Sequence, residues 1–287
     1  YQRERFPIVI LVLSLITAAL SSGVIVGAQP TVLQVVIAVI ASVAYLLHIR
    51  IVDEHRDFEH DNQYHLTHPI QSGIISRREL VIVDIGAVLL LIVISATAGS
   101  WAMIMMAIML VYSYMAGNEF FIGEGIRRHF FVYNSINLVQ MLLMQIFVYT
   151  IFSNPFPFSG LVLAHFLFTT VGTIIFEFIR KLKRPGDDGT GHDTYTWYLG
   201  FNNSLVIYSV LLLLNTVLFF WISTMISSHT IIALILSIIL TGTACAVVFQ
   251  HWMKKTKQTD QLLQLSAVSI YGIYNIVIYT LASNIWK

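Results

Sequence analysis

Ile82-Val-Asp-Ile-Gly-Ala-Val-Leu-Leu-Leu-Ile-Val-Ile-Ser95 carries apolar residues at odd and even positions alike, with Asp84 as its single charge. A membrane-barrel strand would alternate over about ten residues, so this continuous run reads as a helix. The composition around it identifies the solvent. The chain has 287 residues, 57% of them hydrophobic and 11% charged, and its mean hydropathy is +0.77. A soluble domain carries about a quarter charged residues, so this chain lacks the polar surface to cover a soluble globule. We read it as an all-α, polytopic integral membrane protein. The net charge of +1 leaves no excess for a nucleic-acid partner, and the lone Cys245 excludes an internal disulfide or a cysteine-built metal cluster.

A bilayer core about 30 Å thick takes roughly 20 apolar residues per helix. Sliding that length outward from Ile82 gives nine candidate spans, at about 6–28, 30–50, 79–98, 101–117, 130–152, 159–181, 199–223, 229–252 and 262–285. The first follows Arg3 and Arg5 like a signal peptide, but its apolar run is too long and a second span follows at once, so it reads as a retained helix. With nine spans, Arg3, Arg5, Arg50, Arg56, Arg77, Arg78, Arg127, Arg128, Arg180, Lys181, Lys183, Arg184, Lys254, Lys255 and Lys257 share one side, against Lys287 opposite. Positive charge marks the cytoplasmic side, which should therefore hold the N-terminus. Asp53, Glu54, Asp57, Glu59, Asp61, Glu119, Glu124, Glu177, Asp187, Asp188 and Asp193 lie on or next to the same face. The expectation is a single transmembrane helical domain over 1–287, with a polar cap from segments at about 51–78, 118–129 and 182–198.

The sharpest local pattern is Asp53-Glu-His-Arg-Asp57-Phe-Glu-His-Asp61, with aspartates at i, i+4 and i+8 after the second span. On a continuing helix these carboxylates stack and repel unless a cation sits among them. Mg²⁺ joining Asp53, Asp57 and Asp61 to a diphosphate satisfies that need, because it prefers oxygen ligands and commonly bridges carboxylates to phosphate. The competing reading is an exposed charged helix end, with Arg56 and His55 or His60 neutralising it. A second cluster closes the sixth span: Glu177-Phe-Ile-Arg180-Lys181-Leu-Lys183-Arg184-Pro-Gly-Asp187-Asp188. An ionisable group inside a span is a functional candidate by default, and Asp187-Asp188 after the Pro-Gly break could form a second metal-binding lip with Glu177. The competing reading here is ordinary membrane anchoring, with Glu177 paired to a neighbouring cation.

These two motifs, with nine helices and a polar cap, resemble the UbiA superfamily of intramembrane prenyltransferases. Asp53-Glu54-x-x-Asp57-x-x-x-Asp61 is similar to that family's Asn-Asp-x-x-Asp-x-x-x-Asp motif, with aspartate for the leading asparagine. His68-Pro69-Ile-Gln-Ser-Gly73 is similar to its Arg-Pro-x-x-x-Gly segment. The resemblance implies Mg²⁺-dependent transfer of a prenyl group from a polyprenyl diphosphate to a small-molecule acceptor, most commonly an aromatic ring, within the bilayer. It implies Asp57, Asp61 and Lys181 as catalytic groups, with Asp53, Asp57, Asp61, Glu177, Asp187 and Asp188 as metal ligands. The departures are specific. No Asp-x-x-x-Asp pair stands at the second motif, and the family's Tyr-x-x-x-Lys becomes Tyr114 followed four residues later by Asn118. Beside Tyr114, the diphosphate would then be bound by Arg127, Arg128, Lys181 or Arg184.

Two other functions compete. A membrane terpene cyclase would ionise the same donor and let the chain attack itself. A transporter would place ionisable residues near mid-membrane along a route open to both sides. Other polar residues read as scaffold or as cavity lining: His48, His165, His229 and His251 are scattered along spans, and Asn134, Asn137 and Gln140 share one face of the fifth.

Overall fold

The structure, a computed structural model, describes residues 8–64, 66–123, 129–187, 194–227 and 230–283. Among them are eleven α-helices, one 3₁₀ turn and no strand. In chain order they are α1 (Ile8–Ile25), α2 (Val32–Arg56), α3 (Phe58–Tyr64), α4 (Arg77–Ala98), α5 (Ser100–Gly117), the 3₁₀ turn (Glu119–Phe121), α6 (Phe130–Phe152), α7 (Gly160–Lys181), α8 (Tyr195–Leu199), α9 (Phe201–Ile226), α10 (Thr230–Lys254) and α11 (Lys257–Ala282). Eight of them, α2, α4 to α7 and α9 to α11, are long and apolar enough to cross a membrane, while α1 supplies a shorter apolar stretch, Leu11–Ile25.

The helix ends follow local chemistry. Thr31 with Gln34, Ser76 with Glu79 and Thr256 with Thr259 form reciprocal capping boxes that start α2, α4 and α11. The largest departures from the hydropathy limits are at polar ends. Helix α2 runs on to Arg56 because Arg50 pairs with Glu54 and Asp53 with Arg56 along it, and α11 starts at Lys257 because Thr256 caps it. Between α4 and α5 the chain turns at Gly99, whose φ is +118° and whose Cβ position would lie 2.1 Å from Asn154 Nδ2. Only glycine fits there.

The chain divides into two compact units. In the first, residues 31–156, α2 packs on α4, α5 and α6, and α5 packs on α6. Its apolar centre includes Tyr45, Leu91, Met109 and Phe147. Polar ties cross it: Tyr45 Oη and Ser113 Oγ are 3.0 Å apart, Ser113 donates to Gln140 Oε1 at 3.1 Å, and His48 Nδ1 meets Asp84 Oδ1 at 2.7 Å. In a membrane, where apolar side chains gain little by leaving lipid, such bonds and close packing hold helices together. In the second unit, residues 2–30 and 157–287, α1 packs on α11, α7 on α9, and α10 on α9 and α11. His165 Nε2 lies 3.1 Å from Ser21 Oγ, which donates to Asn275 Oδ1 at 2.5 Å. Tyr271 stacks on Phe168, and Phe219 on Tyr274.

Candidate active site

The aspartate register survives in the structure with a break in it. Helix α2 ends at Arg56, Asp57 caps it with φ −91° and ψ 5°, and α3 begins at Phe58. Backbone bonds still run from Asp57 N to Asp53 O (2.8 Å) and from Asp61 N to Asp57 O (2.9 Å). The expected uninterrupted stack is thus corrected to a kinked one. The break sets Glu59 and Asp61 in the first turn of α3, at the positive end of that helix's dipole, where carboxylates are favoured.

Cations of the chain itself answer that charge. Arg56 Nη2 donates to Asp53 Oδ1 at 2.6 Å and Nε donates to Asp57 Oδ1 at 3.2 Å. The guanidinium side chain is 3% exposed and lies 4.7 Å from the centre of the Tyr133 ring. Tyr133 Oη donates to Asp57 Oδ1 and Oδ2, at 3.0 and 3.2 Å. Asp61 Oδ2 lies 3.0 Å from His68 Nδ1, so the histidine that replaces the expected arginine faces the third aspartate. Arg56 therefore bridges Asp53 and Asp57, but as a nearly buried guanidinium and not at the exposed helix end of the competing reading, while His60 stands 3.7 Å from Asp61 and His55 bonds back to Ile51 O.

Two residues that the aspartate register passes over lie close to it in the chain and carry buried atoms unpartnered among the described residues. Glu54 keeps one oxygen on Arg50, but its Oε2 is buried without a hydrogen-bond partner among the described residues. Both side-chain polar atoms of Gln71, in the turn after His68, are in the same condition. The signal for Glu54 was its spacing: Glu54, Asp57 and Asp61 stand at i, i+3 and i+7, one helical face.

Tyr114 is 63% exposed and its ring lies 6.3 Å from Phe121. Asn118, in the place of the family's lysine, turns back to cap α5 through Nδ2 and Tyr114 O. Behind it Glu119, Phe120 and Phe121 all take left-handed φ values, a conformation that costs roughly 1–3 kcal/mol per residue where the side chain is not glycine. Arg127, Arg128 and Asp188 lie outside the described residues.

The second cluster closes α7. Arg180 donates twice to Glu177 Oε2 (3.0 and 2.8 Å) and once to Oε1 (2.7 Å), and Lys181 Nζ stands 3.2 Å from Oε1. Glu177 is thus shared by two cations rather than paired with one. Beyond the Pro185-Gly186 turn Arg184 pairs with Asp187. Tyr195 stacks on Phe178 at 4.3 Å, and burial, with the Glu177 carboxylate, pushes its phenol up to about 12 against the pull of Arg180. Sequence reading passed over Asp260, in the first turn of α11, which lies in the field of His251, Lys183 and Arg184. Its Oδ1 and His251 Nε2 are buried without hydrogen-bond partners among the described residues.

No family model matches the chain, and no curated protein sequence does. Solved structures do. A UbiA homologue from Archaeoglobus fulgidus bound to DMAPP and Mg²⁺ superposes with a TM-score of 0.62 at 12% identity, covering 94% of this chain and 96% of that one. The apo structure of a UbiA homologue from Aeropyrum pernix K1 gives 0.60 at 14% identity, over 93% and 97%. A structure described under the biosynthesis of digeranylgeranylglyceryl phosphate synthase in membranes gives 0.60 at 16% identity, over 94% and 92%. The chain has the UbiA fold. Near-complete coverage of both partners means that the UbiA likeness extends over the whole helical order rather than over a shared hairpin.

Among the described residues no group of three or more histidine, cysteine, aspartate or glutamate side chains is gathered to hold a metal, so an all-protein cage is absent there. Mg²⁺ does not need one: one or two carboxylates, waters and substrate phosphates complete its octahedron. The buried Glu54 Oε2, without a hydrogen-bond partner among the described residues, and the carboxylate of Asp57 or Asp61 are hard oxygen donors of the type and number Mg²⁺ takes from protein, so the residues fit the ion in donor chemistry without forming a preassembled site.

Proposed function

We propose that this chain is an integral membrane prenyltransferase that takes a polyprenyl diphosphate as donor and a small molecule, most commonly an aromatic one, as acceptor. The observation that carries the reading is the acidic register at the end of α2, Asp53 to Asp61, in a chain with the UbiA fold. The neighbour from Archaeoglobus fulgidus was solved with DMAPP and with GPP, each with Mg²⁺, which supports the same donor class and metal here.

When bound, Mg²⁺ would neutralise the diphosphate and make it a better leaving group. Asp53, Asp57 and Asp61, with Glu54 beside them, would form the first set of metal ligands, and Glu177, Asp187 and Asp188 the second. Lys181 and Arg184 would bind phosphate oxygens, with Arg127 and Arg128 as further candidates and the exposed Tyr114 the weakest. Tyr133, donating to both oxygens of Asp57, fixes the rotamer of that carboxylate. The reaction breaks the donor C1–O bond, joins C1 to the acceptor carbon or heteroatom, and releases diphosphate and one proton. Exclusion of bulk water by the polar cap would protect the allylic cation from hydrolysis before the acceptor captures it. We further propose that the chain works as one domain of nine spans, with the N-terminus and both acidic motifs on the cytoplasmic side, as the charge distribution indicates.

Reconstituted protein tests this against a transporter. Mg²⁺-dependent release of diphosphate from a labelled polyprenyl diphosphate supports the reading. Release without an acceptor, giving a cyclised hydrocarbon, would favour the cyclase. Passage of solute across the vesicle wall with no diphosphate release would overturn both.

A further inference from the structure

Arg56 already occupies the position that a metal would seek between the first two aspartates. Its Nη2 lies 2.6 Å from Asp53 Oδ1 and 3.5 Å from Asp57 Oδ2, its Nε lies 3.2 Å from Asp57 Oδ1, and its Nη1 reaches Asn137 Oδ1 at 3.5 Å. The Tyr133 ring lies against the guanidinium, 4.7 Å from its centre. Asp61 is held differently, by His68 at 3.0 Å with His60 at 3.7 Å. We infer that Arg56 is a positioning residue that closes the first carboxylate set to free divalent cations, so that the metal is taken up only together with a diphosphate. This rests on the prenyl-transfer reading above.

A guanidinium and a free metal ion differ in what each must give up to sit between two carboxylates. A guanidinium is planar, permanently charged and weakly hydrated, so a nearly buried position between two carboxylates suits it. Mg²⁺ sheds water reluctantly. To take Asp53 and Asp57 from Arg56, a free Mg²⁺ must separate a desolvated pair and leave the guanidinium buried without its counter-charges, which is strongly unfavourable. A diphosphate changes the balance because it carries negative charge of its own. Its oxygens complete the metal's coordination, so fewer carboxylates are needed, and they offer the guanidinium the bidentate partner for which its donors are shaped. Asp61, tied to imidazole rather than guanidinium, is the carboxylate that yields with least loss.

The test measures Mn²⁺ retained by the purified full-length chain on ultrafiltration, with and without inorganic pyrophosphate. The proteins are wild type, Arg56→Gln, Arg56→Lys and the double variant Asp57→Asn with Asp61→Asn. Circular dichroism and size exclusion check their folding. Wild type should retain little Mn²⁺ alone and clearly more with pyrophosphate. Arg56→Gln should bind Mn²⁺ alone at least about tenfold more tightly than wild type, the low end for close charge pairs. Arg56→Lys should fall between, since an ammonium cannot span both carboxylates, and it decides the matter alone if Arg56→Gln does not fold. The double aspartate variant should lose the gain from pyrophosphate. If wild type gains Mn²⁺ with pyrophosphate but neither Arg56 variant binds free Mn²⁺ more tightly, the Arg56 inference is overturned and the metal reading stands. If no protein retains Mn²⁺ even with pyrophosphate, the metal reading falls and the inference falls with it.

Discussion

Glu177 offers a prediction in which structural and catalytic roles diverge. Its carboxylate takes three hydrogen bonds from Arg180 and an ion pair from Lys181 at 3.2 Å, with side-chain exposures of 20% for Glu177, 34% for Arg180 and 14% for Lys181. A hydrogen bond to a charged group contributes roughly 1.5–3 kcal/mol when buried, but partial exposure lowers this, and glutamine keeps one acceptor. Glu177→Gln should therefore cost about 1–2 kcal/mol of stability, a fall of several degrees in Tm at most. A double-mutant cycle on Tm should give stronger coupling to Arg180, the bidentate partner, than to Lys181. Activity should behave otherwise. If the glutamate is a metal ligand and the lysine a phosphate contact, Glu177→Gln should weaken the apparent Mg²⁺ affinity and Lys181→Met should raise the donor KM. The combined variant should then be worse than either. Diphosphate release measured across Mg²⁺ and donor concentrations reads both. Recovery of near wild-type turnover in the combined variant would refute the reasoning and reduce the pair to scaffolding, leaving Asp187 and Asp188 as the second-set candidates.

Three further outcomes are expected. Gly172→Ala would set a Cβ 2.4 Å from Tyr271 Cε2, and that ring is confined by Phe168 and Phe176, so thermal unfolding should show a loss of about 1–3 kcal/mol; an unchanged Tm would contradict this packing. Tyr133→Phe removes the donor to both Asp57 oxygens and should lower turnover about tenfold or more with little change in Tm, and a wild-type rate would remove Tyr133 from the site. In a Cys245→Ser background, single cysteines near Glu59 and Lys257 should resist a membrane-impermeant maleimide on intact cells, while cysteines near Gly27 and Asn154 should react. Labelling near Glu59 from outside would overturn the proposed orientation.

Hydropathy located the long helices because lipid exposure demands apolar side chains along most of each span. Its errors lie where charge is compensated locally. Asp53 to Arg56 looked like the end of a span, yet ion pairs carry α2 through them. Asp84 was averaged away inside a strongly apolar window, although it meets His48 across two helices. For the acidic register, sequence alone balanced metal against Arg56 because both satisfy the same electrostatic need, and the structure shows the arginine in place. The sharing of Glu177 was equally ambiguous, since Arg180 at i+3 and Lys181 at i+4 are both within helical reach. The left-handed turn at Glu119 to Phe121 left no mark, because the residues there are not those that favour such φ values. Asp260 was lost with the polar first turn of α11, which a hydropathy limit near 262 excludes.

On the proposed function, carboxylates at the end of α2 act with a divalent metal on a prenyl diphosphate. The most direct test incubates purified wild type and Asp57→Asn with labelled diphosphates of several chain lengths and a membrane extract, in Mg²⁺ or in EDTA. Released diphosphate is followed, and the labelled product is identified by mass spectrometry. Removing one preorganised electrostatic group from an active site, such as an oxyanion-hole donor, costs about 10²–10³ in rate, so Asp57→Asn should lose at least that much while folding and expressing normally. EDTA should stop the wild type, Mg²⁺ should restore it, and the product should be a prenylated acceptor. Full activity of Asp57→Asn, or turnover indifferent to EDTA, would contradict the claim.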